Sequence, residues 1–194
     1  MLIEKLKNYS LVLASQSPRR RQLLQDAGIP YKLAPVLDTN EDFPFSLDKF
    51  QVPVYLAEKK SKAYGEIPEN EIYITADTIV WLKDKVINKP IDEQDAINIL
   101  TQLSGNMHEV ITGVCLRSNL KSKSFFAHSE VYFSHLTELE IIYYIKTFKP
   151  YDKAGAYGIQ EWIGYIGIEK INGSYFNVMG MPVQKLYREL ESFL

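Results

Sequence analysis

Short apolar runs alternate with amphipathic stretches along the chain. Leu11 to Ala14 is an apolar, strand-sized run. Residues 18–27 read as a helix with the stripe Leu23, Leu24 and Ala27, stopped by Gly28 and Pro30. Residues 36–50 show no period and read as a loop. A second helix is expected from Val54 to Tyr64, ended by Gly65 and Pro68. Ile72 to Ala76 is β-rich, Asp77-Thr78 interrupts it, and Ile79 to Leu82 resumes it. Lys83-Asp84-Lys85 then turns into a short strand at Val86-Ile87. Within 92–104, Ala96, Ile99, Leu100 and Leu103 recur at helical spacing, closed by Gly105. Residues 109–117 and 125–134 read as strands joined by the polar linker Ser118–Ser124. Thr137 and Glu140 make a capping box for a helix to Phe148. Residues 150–180 hold six of the ten glycines and several short β runs. Pro182 opens a last helix with Val183, Leu186, Tyr187 and Leu190 inward. This alternation predicts an α/β fold, one domain over residues 1–194 with a mixed β-sheet and two lobes around a cleft.

Composition narrows the class. Of 194 residues, 46% are hydrophobic and 24% charged, which is globular and excludes a disordered chain. Cys115 is the sole cysteine, so no internal disulfide forms. Lys and Arg number 22 against 24 Asp and Glu, a balance unlike that of a general nucleic-acid binder. No apolar run approaches the ~18 residues of a membrane span, and none of signal-peptide length follows Lys5 and Lys7. The expected location is cytoplasmic, with neither membrane nor nucleic acid as partner.

The sharpest local chemistry is Ala14-Ser15-Gln16-Ser17-Pro18-Arg19-Arg20-Arg21. Ser17 suits the N-cap, and Pro18 the first helical position, where its missing N–H costs nothing. Three arginines in a first turn oppose the helix dipole unless an anion joins them. Free N–H groups, the hydroxyls of Ser15 and Ser17 and the guanidinium forks together make a phosphate site. Arg20 shares the buried stripe and points along the sheet top, Arg19 flanks it, and Arg21 is solvated.

Acids and lysines elsewhere could complete such a site. Asp77 is either a carboxylate at a strand end, holding Mg²⁺ or activating water, or an Asx-turn at a bulge. Glu41 is a loop acid and a second carboxylate candidate. Lys60 follows Leu56 by four positions and shares its helical face, and Lys89-Pro90 fixes a lysine in an extended segment. The small residues of 151–160 permit close backbone approach, and the Gln160 amide offers both a donor and an acceptor. His108, His128 and His135 lack metal-ligand spacing. Residues alone therefore lead to an anion site with acids, suited to a phosphate ester.

Leu13-Ala14-Ser15-Gln16-Ser17-Pro18-Arg19-Arg20, Ala76-Asp77-Thr78, Lys89-Pro90, residues 152–160, residues 171–175 and residues 178–182 resemble, in order, the Maf (septum formation) family over nearly the whole chain. The resemblance implies a nucleoside triphosphate pyrophosphatase that cuts between the α and β phosphates with a divalent metal, Mg²⁺ or Mn²⁺. It implies an elongated mixed sheet flanked by helices, like that of the inosine triphosphate pyrophosphatases, and a homodimer. Arg19, Thr78 and Gln160 match the dTTP/UTP subgroup, where a 7-methyl-GTP subgroup would have Trp, Gln and Glu. A glutamine amide pairs with both the carbonyl and the N–H of a uracil or thymine edge. The roles implied are Asp77, Lys60 and Lys89 in catalysis, Ser15, Ser17, Arg19, Arg20, Thr78 and Gln160 on the substrate, and Asp77 with Glu41 on the metal. Ser61 stands where the family usually has Ala, and Glu161 where it has Gly. The rival readings are a related pyrophosphatase of different base preference, such as for modified pyrimidine or purine triphosphates, and a nucleotide-binding regulator of cell division, which would not need hydrolysis.

Overall fold

Residues 1–194 are described by a computed structural model. In chain order the elements are α1 (Leu2–Lys5), β1 (Ser10–Leu13), α2 (Pro18–Asp26), β2 (Lys32–Leu33), α3 (Gln51–Lys62), β3 (Glu71–Leu82), β4 (Lys85–Ile87) and α4 (Glu93–Leu103). There follow β5 (Met107–Arg117), β6 (Ser122–Phe133), α5 (Glu138–Phe148), α6 (Trp162–Gly167), β7 (Ile168–Asn172), α7 (Tyr175–Val178) and α8 (Val183–Phe193). The strands form one sheet in the order β2-β1-β3-β5-β6-β7, with β4 also on β3. It is mixed: β1 runs parallel to β2 and β3, while β4 is antiparallel to β3 and β7 to β6. The α/β class and the mixed sheet flanked by helices are as expected. No helix is long and apolar enough to cross a membrane.

The chain divides into two compact units. One holds Met1–Asp77, Thr112–Ala127 and Gly180–Leu194; the other holds Thr78–Ile111 and His128–Met179. In the first, α3 lies so close to β5 that a Cβ on Gly113 would stand 2.3 Å from the Pro53 backbone. The Thr75 hydroxyl donates to the Ala57 carbonyl at 2.7 Å, fixing β3 to the same helix. In the second, the α4 stripe Ala96, Ile99, Leu100 and Leu103 is buried with Ile141, Tyr144 and Ile145 of α5. Each fully buried Leu or Ile of that cluster contributes about 1.5–3 kcal/mol. Asp92 caps α4 through the Asp95 N–H at 2.8 Å, and Thr137 and Glu140 close the capping box of α5.

Several boundaries differ from expectation. Helix α3 starts at Gln51 because Pro53 falls in its first turn, where no N–H is needed. The hairpin between β5 and β6 is tighter than the polar linker suggested, closed by the Ser118 N–H on the Lys121 carbonyl at 2.9 Å. Ala27 lies past the end of α2 and is exposed, leaving Leu23 and Leu24 as the buried stripe. Residues 150–180 contain one strand, β7, where several β runs were expected; the rest is turns and short helices. Glycine makes those turns possible, since a Cβ on Gly164 would sit 1.8 Å from the Ile159 carbonyl oxygen.

Candidate functional site

Asp77 is the centre of the first unit's polar cluster. It does not end a strand or sit at a turn; β3 runs through it unbroken. Successive strand side chains alternate faces, so Asp77 shares with Thr75 the face toward α3. There Lys60 meets it, Nζ lying 2.5 Å from Oδ1. An acid can stay inside a buried run because this partner satisfies it, so Asp77 lies neither at a strand end nor in a turn at a bulge. Asp77 is 8% exposed. Burial pushes its carboxyl above the usual range, the charge and hydrogen bond of Lys60 and the charge of Arg20 pull it back, and Glu41 adds to the rise.

Lys60 also reaches Glu41, with Nζ 2.8 Å from Oε1. The loop carrying Glu41 is held beside α3 by Lys59, whose ammonium donates to the Asp42 carbonyl at 2.9 Å. One ammonium thus gathers two carboxylates from separate segments. No group of three or more His, Cys, Asp or Glu side chains stands together as a metal cage.

The Ser15–Arg20 segment forms as its residues dictate. Ser17 caps α2, its hydroxyl accepting from the Arg20 N–H at 3.5 Å, with Pro18 at the first helical position. Ser15 Oγ accepts from the Ser17 N–H at 3.3 Å. The Arg20 fork is tied to the protein itself. Nε donates to the Gly180 carbonyl at 2.8 Å, and Nη1 to the Ala76 carbonyl at 2.8 Å and to Ser15 Oγ at 3.2 Å. Burial lowers its guanidinium, Asp77 opposes this, Arg19 adds to it, and Glu41 opposes it. Arg20 therefore builds the loop and holds the backbone next to Asp77. Arg19 is half-buried. Arg21, expected in solvent, is half-buried too and donates from Nη2 to Gln16 Oε1 at 3.2 Å.

The remaining sequence-predicted residues, Thr78, Lys89 and Gln160, belong to the second unit. Thr78 is half-buried on β3, and Lys89 is exposed after β4. Gln160 is half-buried in a tight turn, and its side-chain oxygen is buried without a hydrogen-bond partner. Two charged residues around that turn escaped the sequence reading. Lys153 is buried and pairs with Asp152 Oδ1 at 2.7 Å and Glu161 Oε1 at 3.2 Å. Glu161 accepts a very short hydrogen bond from the Tyr144 hydroxyl. The departure at Glu161 from the motif was the one sequence signal for this network. The other departure, Ser61, also has a partner: its hydroxyl accepts from Arg117 Nε at 3.0 Å. Arg117 further donates to the Ser61 and Gly65 carbonyls at 2.6 and 2.9 Å, closing the C-terminal end of α3, where a cation suits the helix dipole.

Comparison with known proteins places this arrangement. The chain is 50% identical over 193 residues to a dTTP/UTP pyrophosphatase of Parabacteroides distasonis, covering 99% of this chain and 100% of that one. It is 48% identical to a dTTP/UTP pyrophosphatase of Christiangramia forsetii, covering 100% and 99%. Among solved structures, a HAM1 protein from Coxiella burnetii covers 95% of this chain and 99% of its own, with 14% identity and a TM-score of 0.47. The model of the Maf-like protein family matches residues 10–193. With the Ser15–Arg20 segment, Asp77 and the Gln160 turn inside that span, the chain belongs to the Maf-like protein family.

Proposed function

We propose that this protein is a nucleoside triphosphate pyrophosphatase that hydrolyses dTTP and UTP to the nucleoside monophosphate and pyrophosphate. Its relatives of about half identity carry that activity in their names. The observation that carries the reading is Asp77, a buried carboxylate raised by burial yet gripped at Oδ1 by Lys60. A base tuned upward in this way takes a proton more readily than an ordinary exposed carboxylate. Lys60 binds Oδ1, which leaves Oδ2 for one of the two roles open to Asp77, proton acceptor or metal ligand. Water attacks the α phosphorus, its proton passes to Asp77, and the bond to the bridging oxygen breaks as pyrophosphate leaves. Ser15, Ser17, Arg19 and Arg20 at the start of α2 hold phosphate oxygens, Arg20 also tying that loop to the Ala76 and Gly180 carbonyls, and Lys89 balances leaving-group charge. Positioning and charge stabilisation dominate the rate gain in such reactions.

A divalent cation fits the donor set. Asp77 and Glu41 already converge on one cation, the Lys60 ammonium, and both offer hard oxygen ligands. Mg²⁺ or Mn²⁺ characteristically takes one or two carboxylates and completes its shell from phosphates and water, so the lack of a larger acidic cluster agrees with such an ion. When bound, it neutralises phosphate charge. In the second unit, the unpartnered Gln160 oxygen would accept from the imide N–H of uracil or thymine while the amide N–H donates to a ring carbonyl. Thr78 belongs to the same selectivity set. The reading includes a cytoplasmic homodimer whose substrate is the free nucleotide.

The test is pyrophosphate release by the purified protein from dTTP, UTP, CTP, ATP and GTP, with Mg²⁺ and with Mn²⁺. Release from dTTP and UTP above the others is expected. No release from any nucleotide would overturn the reading and favour a binding-only regulator.

A further inference from the structure

Lys153, buried, and Glu161, half-buried, form an ion pair that the chemistry above does not use. The pair surrounds the turn Gly158–Glu161, which is closed by the Glu161 N–H on the Gly158 carbonyl at 2.9 Å and carries Gln160 as its third residue. The Tyr144 hydroxyl accepts the Gly158 N–H at 2.9 Å and donates to Glu161 Oε2. The first and last residues of the turn are therefore tied to one phenol. Together with the turn's own hydrogen bond this makes a closed ring. Lys153 holds the other Glu161 oxygen at 3.2 Å.

The turn is also fixed by close packing. Gly164 admits the Ile159 carbonyl, and a Cβ on Gly158 would meet Glu161 Cδ at 2.8 Å and Gln160 Nε2 at 3.0 Å. The Glu161 carboxylate and the Gln160 amide thus lie side by side over Gly158. Charge sets the direction of the ring. An ionised carboxylate only accepts, so Tyr144 must donate to it and use its lone pair for the Gly158 N–H. A neutral amide at 161 could donate or accept, and the ring would lose its single sense.

We propose that Glu161, anchored by Lys153 and Tyr144, is a positioning residue that aims the Gln160 amide and thereby sets the preference for uracil and thymine over cytosine. The proposal rests on reading Gln160 as the contact to the base edge. Cytosine discriminates because its edge lacks the imide N–H and carries an amino group in place of one carbonyl.

The experiment measures kcat and KM for UTP, dTTP and CTP in the wild-type protein, Glu161→Gln and Tyr144→Phe, alongside thermal unfolding. In Glu161→Gln the UTP-over-CTP ratio of kcat/KM is expected to fall about tenfold, a typical size for a weakened polar readout. The loss should lie in the KM for UTP and dTTP, with kcat and the CTP constants nearly unchanged. Tyr144→Phe should move the ratio the same way, and it carries the test if Glu161→Gln does not fold. A wild-type protein that discriminates, together with folded variants that keep its ratio, overturns the proposal. So does a uniform fall in kcat for all three nucleotides, which marks a purely structural role. A wild-type protein that releases no pyrophosphate from UTP or dTTP overturns the functional reading itself, a separate result.

Discussion

Replacing Asp77 by asparagine is expected to stop turnover and yet make the protein harder to unfold at neutral pH. The substitution keeps size and shape but removes a carboxylate that burial opposes. Burial raises Asp77 in the folded state, and the pull of Lys60 and Arg20 is already contained in that net direction. In the unfolded chain the group titrates near ~3.9. Between that value and the raised folded one, the native state holds more protons, so stability falls as pH rises through the window. Above the window the penalty is complete, at about 1.4 kcal/mol for each unit of elevation. For a chain of this size each kcal/mol moves the melting midpoint by about 2–4 °C. An amide escapes the penalty, so Asp77→Asn should melt higher than wild type at pH 7.5, by about 2–4 °C for each kcal/mol relieved. The gain should shrink as pH falls through the window and vanish about one unit below ~3.9, where wild-type Asp77 is protonated in both states. Differential scanning calorimetry in chelator-containing buffer from about pH 3 to 8 measures this. Pyrophosphate release measures the other half, an expected loss of about 10²–10⁴-fold for a missing general base. A variant that melts below wild type at pH 7.5 by a margin unchanged at about pH 3 would refute the view of Asp77 as an ionised group held against its solvation. Near-full release would refute its role as base.

Lys60→Met removes the largest downward influence on Asp77, so the acid limb of the pH profile of kcat/KM should move to higher pH; a limb that stays put contradicts the pairing. Ser61→Ala deletes one of three acceptors of Arg117 and should cost about 1–2 kcal/mol in urea unfolding with an unchanged slope. Burial presses His108 down to about 3, so the unfolded chain binds a proton there that the native chain refuses. Its contribution should drain away at about 1.4 kcal/mol per pH unit as pH falls from roughly 6.5 toward 3. That slope should be missing from acid titrations of His108→Leu.

Local signals were legible where local physics decides. The α4 stripe and the α5 capping box needed only a few neighbouring residues, and both stand as read. The β3 strand was misread at Asp77 because the residue that permits it, Lys60, lies 17 positions away on another element. The glycine-rich 150–180 stretch was taken for strands because its apolar runs are short, whereas glycine allows turns too tight for a Cβ. The anion-favouring start of α2 could be read from Ser17 and Pro18. The engagement of Arg20 with the Ala76 and Gly180 carbonyls could not, since backbone acceptors leave no mark on side-chain identity. Lys153 and Glu161 stayed hidden for the same reason as Lys60: their attraction is set by a turn and a phenol brought in from α5.

The Arg20 fork has a consequence for how the protein matures. Its acceptors come from residues 15, 76 and 180, so a chain emerging from the ribosome carries the cation long before its last acceptor exists. The C-terminal end ties back to the start of the chain as well, with the Lys5 ammonium on the Glu191 carbonyl and the Leu2 N–H on the Tyr187 hydroxyl. The Gly180 contact that ties the Ser15–Arg20 loop to the C-terminal part of the chain can therefore form only once that late segment exists.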